Sequence, residues 1–329
     1  LVYYLVTELS DRRFGMISAV ILALWPSLIF YSTVVATEAL FTLLFLVVIV
    51  YFYRVRDCPS GIKAYLFYFL LGMLIGILNA VRPMGILLLI SIGAYLVITL
   101  SRESEYLRNL GKILLLFITL CMGYLISITM IKQSSQTITN RSVGTSFIGY
   151  SILVGSNYEH SGTWNTDDAS LLDEVYQDGF VPPDVVNSEL LSTAIDRILD
   201  DPIQFLKLQF RKNQKIWQSD QFPIDFYHWY VDKDSLGWLD SVANSLLLTR
   251  LSTLYYSVII LLSTLAAIAG IYRVNRDFMI FFVVLFIINW GIYIFVEVQG
   301  RYHYHLLPVL AILAGYGLYR VNELYRHRT

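Results

Sequence analysis

The densest polar stretch beside any apolar run is Glu297-Val298-Gln299-Gly300-Arg301-Tyr302-His303-Tyr304-His305. A carboxylate, a guanidinium and two imidazoles so close together can hold an anionic headgroup or carry out acid–base work. The alternative is a bland interfacial loop. His303 and His305 also have the alternate spacing of a strand-like metal pair, but no third ligand is near in sequence, so a divalent cation remains an option without an assigned site. Glu38 opens an apolar run in Ala36-Thr37-Glu38-Ala39-Leu40. Either it sits in a cap, with Thr37 as N-cap and the carboxylate favoured by the helix dipole, or it lines a cavity. Arg82 lies in Asn79-Ala80-Val81-Arg82-Pro83, where Pro83 biases it out of helical conformation and can begin the next helix. Its guanidinium either snorkels to headgroups or binds phosphate. Asp232-Lys233-Asp234 has the D-x-D spacing that some sugar-transfer enzymes use for a divalent ion, a short match that a solvated loop explains as readily. There is no phosphate-cradling P-loop, dinucleotide glycine fingerprint or His-Glu-x-x-His, so nothing supports soluble nucleotide-driven chemistry.

The elements that must position these groups are membrane helices. The 329-residue chain is 56% hydrophobic and only 15% charged, against roughly 25% charged in an ordinary soluble domain. Too few charges remain to coat a globule of this size, so the outer surface is expected to face lipid. The net charge of -1 gives no hint of a nucleic-acid partner. The 24 tyrosines suit interfacial belts. Cys58 adjoins a charged loop and Cys121 lies inside an apolar run, so no mutual disulfide is expected. The chain begins at Leu1 within an apolar stretch, which reads as a truncated N-terminus rather than a signal peptide.

Apolar runs at 14–33, 38–53, 64–81, 84–100, 112–131, 250–272, 278–296 and 304–319 predict about eight transmembrane helices. The expected organisation is an N-terminal transmembrane bundle over 1–131, a small mixed extracytoplasmic domain over 132–248, and a C-terminal bundle of three helices with a short cytoplasmic tail over 249–329. Arg12 and Arg13, Arg54, Arg56 and Lys63, Arg102, Arg108 and Lys112, Arg273 and Arg276, then Arg320, Arg326 and Arg328 fall on one set of connections. The opposite short connections hold only Arg82 and Arg301. The basic set is therefore expected on the cytoplasmic side with the C-terminus, and the large loop outside. Glu38, Arg82 and the Glu297–His305 turn then face the same outer side.

Within the loop, Ser151–Val154 reads as a short strand, Asp184–Asp201 as a helix, and Pro202 as the first-turn residue of an amphipathic helix reaching about Ser219. Ile203, Leu206, Phe210 and Trp217 share one side of it, and Lys207, Arg211 and Lys215 form a neighbouring basic stripe. Such a helix either lies on the outer leaflet, with its lysines near phosphates, or shows a solvated face of a small subdomain.

Several short segments carry a resemblance. Ala23-Leu24-Trp25-Pro26 through Tyr31-Ser32 and Thr37-Glu38 is similar to a P…YS…TE turn. Leu71-Gly72 through Gly76 and Arg82-Pro83 resembles an LLG…G…RP stretch. Gly155-Ser156-Asn157 followed by Ser161-Gly162-Thr163-Trp164-Asn165 resembles a G-x-N…G-x-W-N segment. Asp201-Pro202 through Trp217, and Gly300-Arg301-Tyr302 through Leu307-Pro308, resemble a P…F…L…K…W helix and an RY…P signature. In this order they resemble the GT-C superfamily of membrane glycosyltransferases, most closely the bacterial family 39 group related to dolichyl-phosphate-mannose–protein mannosyltransferases. The resemblance implies transfer of a sugar from a polyprenyl-phosphate donor, on the extracytoplasmic face of the plasma membrane, to a protein, lipid or cell-surface polymer. It implies that Arg82, Arg301 and His303 hold the donor phosphate, and that Glu297, Tyr302, His305, Asn157 and Trp164 line the substrate cavity. The family's catalytic aspartate sits in the first outer loop, whereas Leu1–Thr7 corresponds to the inner end of the second span. The base is thus expected upstream of Leu1, with Glu38 the candidate within the chain. An O-antigen-type polymerase or ligase shares the many spans, the outer loop and the lipid-linked sugar. A transporter or flippase would show inverted repeats and mid-membrane charges, and neither is visible.

Overall fold

The computed structural model describes residues 1–58, 61–100, 106–139, 148–177, 183–230, 246–271 and 276–326. Every regular element among them is helical. The helices are α1 (Val2–Leu9), α2 (Arg12–Ala23), α3 (Pro26–Tyr31), α4 (Thr37–Val55), α5 (Ile62–Val81), α6 (Gly85–Leu100), α7 (Tyr106–Thr139), α8 (Ile148–Gly155), α9 (Thr166–Gln177), α10 (Pro183–Asp200), α11 (Pro202–Trp217), α12 (Phe222–Tyr230), α13 (Leu246–Ile271), α14 (Arg276–Ile292) and α15 (Leu307–Arg326), with a 3-10 turn at Tyr304–Leu306. The chain divides into two compact units. The first comprises residues 1–143, 223–288 and 304–329, and the second 144–222 and 289–303.

Four helical stretches are long and apolar enough to cross a membrane: Thr37–Val55, Ile62–Val81, Leu110–Ile138 and Leu246–Ala269. Two further apolar helices, Gly85–Thr99 and Phe278–Ile292, are shorter. All six fall largely in the first unit. Along α13, Leu247, Leu251, Leu254, Val258, Leu261, Leu265 and Ile268 are exposed at alternating spacings of four and three. This is one unbroken apolar stripe on one helical face. Along α7, Leu114, Leu115, Ile118, Met122, Leu125, Ile126 and Met130 are exposed in the same manner. Stripes of this length are untenable against water and suit hydrocarbon, as expected of a membrane protein.

Inside the first unit, α15 is buried at every position from Leu307 to Tyr316 and packs against α13 and α2. Ser263 on α13 donates to the Leu310 carbonyl at 2.8 Å, an interhelical bond suited to an apolar surround. The closest helix pair is α5 with α7. A Cβ added at Gly72 or Gly123 would run into the opposite helix's backbone, at Leu120 and Phe69 respectively. Glycine at both positions lets the two axes approach in the small-residue manner of membrane helices. Aromatic rings of Phe52 and Tyr53 on α4, Tyr95 on α6 and Phe281 on α14 close the space between those helices.

The second unit packs α8, α9 and α11 around α10. Leu153, Val186, Leu190 and Ala194 form its apolar centre, backed by Leu171 and Val175.

Three expectations change. Ser151–Val154 is not a strand but the body of α8, so the loop domain is helical rather than mixed among the described residues. The run 14–33 is two helices. α2 ends at Ala23, and Pro26 starts α3, because proline suits a first turn but not a helix interior. The run 304–319 begins with a 3-10 turn before α15.

Candidate functional site

In the first unit, polar groups gather at the N-terminus of α4. Ala36, in extended conformation, caps this helix without a side-chain bond, so Thr37 is its first helical residue rather than its cap. Glu38 is only 4% exposed despite its charge. Its partner is Arg82, whose Nη1 lies 2.5 Å from Glu38 Oε1. The sequence explains Arg82's placement. It ends α5 with φ -148° and ψ 136°, the extended state that a following proline enforces. Pro83 and Met84 then form a turn, and α6 starts at Gly85, two residues beyond the expected start at Pro83. Asn79 Oδ1 accepts from the Ile86 amide at 3.0 Å and ties the turn to the end of α5. Tyr31, fully buried at the end of α3, lies against the Glu38 carboxylate. Its ring centroid is 4.6 Å from that of Tyr304. The next residue but one to His303, His305, is buried edge-on between Phe41 and Phe45 of α4, with ring centroids 5.4 and 5.3 Å away. It therefore stands one and two helical turns beyond Glu38 on α4. Glu38, Arg82 and His305 share this end of the unit, as do Tyr31 and Tyr304.

In the second unit, the turn that follows α14 holds the other predicted residues. Glu297 is buried, bonded to the Gln299 side-chain amide and reached by the Tyr302 hydroxyl at 3.3 Å. Tyr293 stacks on Tyr302 and donates to its carbonyl at 2.6 Å. Arg301 lies over the Phe222 ring, 5.6 Å from its centroid. His303 is turned inward: Nε2 is 3.2 Å from Asp220 Oδ1, and Trp217 stacks on the imidazole. Both members of the Asp220–His303 pair have side chains only 1% exposed. The strand-like spacing imagined for His303 and His305 does not exist, because His305 sits in the 3-10 turn. Among the described residues, no three His, Cys, Asp or Glu side chains are grouped to hold a metal ion. Asp232 and Asp234 lie outside the described residues.

The G-x-N…G-x-W-N segment has a local physical cause. Asp168 is 1% exposed and accepts from Asn157 at 2.9 Å, Asn165 at 2.8 Å and the Arg197 guanidinium at 2.9 Å. The two asparagines and an arginine thus compensate one buried carboxylate, as burial of a charge demands. Gly162 has φ +71°, where a side chain would be strained, and the stem of Lys212 fills the space a Cβ would take. Lys212 is 1% exposed, and its Nζ donates to the carbonyls of Gly155 at 2.8 Å and Ile294 at 3.0 Å. Burial pushes its ammonium down to about 7. An open cavity of about 470 Å³ lies beside this network, lined among others by Asn157, His160, Asp167, Arg197 and Phe205. Asn157 is therefore in a cavity wall, with its amide committed to Asp168. Trp164 is 57% exposed and is not among the cavity's lining residues.

Asp168, Arg197, Lys212 and Asp220 escape sequence reasoning as site residues, and Tyr31 enters it only as part of the P…YS…TE turn. Most are distant in sequence from the residues they meet: Asp220 from His303 by 83 positions, Arg197 from Asp168 by 29. Lys212 alone had a signal. On α11 it lies between the buried Leu208 and Ile216 at spacings of four, on the side opposite Ile203, Leu206 and Phe210.

No protein-family model, curated protein or solved structure matches this chain.

Proposed function

We propose that the chain is a multi-pass plasma-membrane glycosyltransferase of the GT-C kind, with about eight spans. It takes a sugar from a polyprenyl-phosphate donor on the extracytoplasmic face and passes it to a hydroxyl of a protein, lipid or polymer acceptor. The observation that carries this reading is the Glu38–Arg82 pair, a buried carboxylate on a half-buried guanidinium at the ends of two helices long and apolar enough to cross a membrane. A charge near membrane depth is costly and is kept where it has a task. A carboxylate that fixes a guanidinium in advance makes a site for a phosphate, whose negative charge grows as the sugar leaves. In the transfer, the anomeric carbon–oxygen bond to phosphate breaks, the acceptor oxygen bonds to that carbon, and the acceptor proton passes to a base. Arg82 stabilises the departing lipid phosphate. Glu38, engaged by Arg82, positions this cation and is not the base. The apolar helices suit a donor whose prenyl tail stays in the bilayer.

The test is transfer of labelled hexose from a polyprenyl-phosphate donor in membranes carrying the expressed protein. Arg82→Ala should lower transfer by about a hundredfold or more, the scale of losing one preorganised charge donor, with membrane insertion intact. Undiminished transfer in this variant would refute the proposal.

A further inference from the structure

We infer that the exposed apolar face of α11 in the second unit rests on an anionic lipid surface. Three large apolar side chains are exposed on it: Ile203 (66%), Leu206 (64%) and Phe210 (82%). They follow one another at spacings of three and four. On α11 the circumference divides into three sectors at 3.6 residues per turn. Leu208, Lys212 and Ile216 are buried in the unit's own interior. Ile203, Leu206 and Phe210 are exposed on a second sector. Lys207, Arg211 and Lys215 are exposed on a third, between the other two. A merely solvated helix needs a polar outer face, and here the outward sector is apolar and exposed among the described residues.

The occupant follows from charge and tethering. Apolar side chains bordered by a basic row suit an acyl boundary bordered by phosphates. The same chain carries helices long and apolar enough to cross a membrane, so a bilayer is always at hand. A protein groove could match the apolar residues, but it would leave the adjoining lysine row unexplained. Arg211 is drawn toward Tyr158, its guanidinium 4.0 Å from the ring centroid, which leaves Lys207 and Lys215 as the headgroup contacts. The inference depends on the membrane character of the chain and not on sugar transfer.

The experiment uses the whole chain, with Cys58 and Cys121 replaced by serine, reconstituted into vesicles of zwitterionic phosphatidylcholine with or without anionic phosphatidylglycerol. Single cysteines from Ile203→Cys, Phe210→Cys and, on the polar helix α9, Glu174→Cys carry an environment-sensitive fluorophore. With phosphatidylglycerol present, labels at 203 and 210 should shift to the blue. Lipids spin-labelled near the headgroup should quench them at least about twofold more than the label at 174. Lys207→Glu with Lys215→Glu should at least about halve that quenching in anionic vesicles and leave it unchanged in zwitterionic ones. A label at 210 that stays in an aqueous environment overturns the inference. So does one that shifts to the blue without being quenched by lipid, because the face would then be covered by protein. Equal quenching before and after charge reversal in anionic vesicles also overturns it.

Discussion

Arg82 and Glu38 hold each other at the end of two helices, and their mutual dependence is measurable. Removing one partner of a buried pair leaves the other charge uncompensated, at a cost of about 3–5 kcal/mol, whereas removing both costs much less. Arg82→Gln should therefore destabilise the solubilised protein markedly, and Glu38→Gln with Arg82→Gln should recover most of the loss. A thermal-unfolding cycle in which the two effects merely add would deny that the pair is coupled. Lys212 gives a second, pH-dependent test. Its ammonium is pushed down to about 7 from the usual 10.5. In that window the unfolded chain binds the proton more tightly than the folded one. Its contribution is complete above about 10.5 and falls as the pH drops towards 7, by up to about 1.4 kcal/mol per pH unit. The wild-type unfolding temperature should gain on Lys212→Met as pH rises from 7 to 9, and parallel pH profiles would remove the lysine from the account. At this scale the sequence was legible where the cause is local. Pro83 announces the extended Arg82. It was opaque where partners are remote: nothing around His303 points to Asp220, and nothing around Asn157 points to Arg197.

At the scale of elements, hydrophobic runs locate helices well and their breaks poorly. Ser151–Val154 is a short apolar run, and periodicity alone cannot separate a buried strand from a buried helix at that length. The structure makes it a helix because α8 packs along α10. The run 14–33 is apolar enough to read as one span, yet Pro26 divides it and brings Trp25 inward against Tyr255 and Tyr256. The α5–α7 contact depends on two glycines that sequence reading noted only as part of a motif or not at all. Gly123→Leu should force these helices apart and lower the unfolding temperature by several degrees, the effect of an overpacking cost of about 1–3 kcal/mol. The same change at Gly111, where an added Cβ meets nothing within 4 Å, should be nearly silent. Equal effects at both positions would show that close approach of α5 and α7 does not matter.

For the whole molecule, composition was the most informative feature. A chain this apolar and this poor in charge had to present its surface to lipid, and the exposed stripes along α7 and α13 are how it does so. The division into units was less legible, because the second unit takes in residues 289–303 from far along the chain. The Glu297–His305 stretch, read as one cluster, contributes His303 to the second unit and His305 to the first. The functional account accordingly rests on what the first unit holds by itself: a cation fixed by a buried carboxylate at the end of helices long and apolar enough to cross a membrane, which we propose receives a phosphate on a lipid.

Equilibrium binding of a polyprenyl-phosphate hexose to the chain in lipid nanodiscs tests that claim most directly. The account predicts saturable binding, competed by polyprenyl phosphate but not by the free polyprenol. It predicts binding at least about tenfold weaker in the Glu38→Gln, Arg82→Gln double variant, as expected for loss of a charge-assisted contact. Binding that ignores the phosphate, or that is unchanged in the double variant, would contradict it.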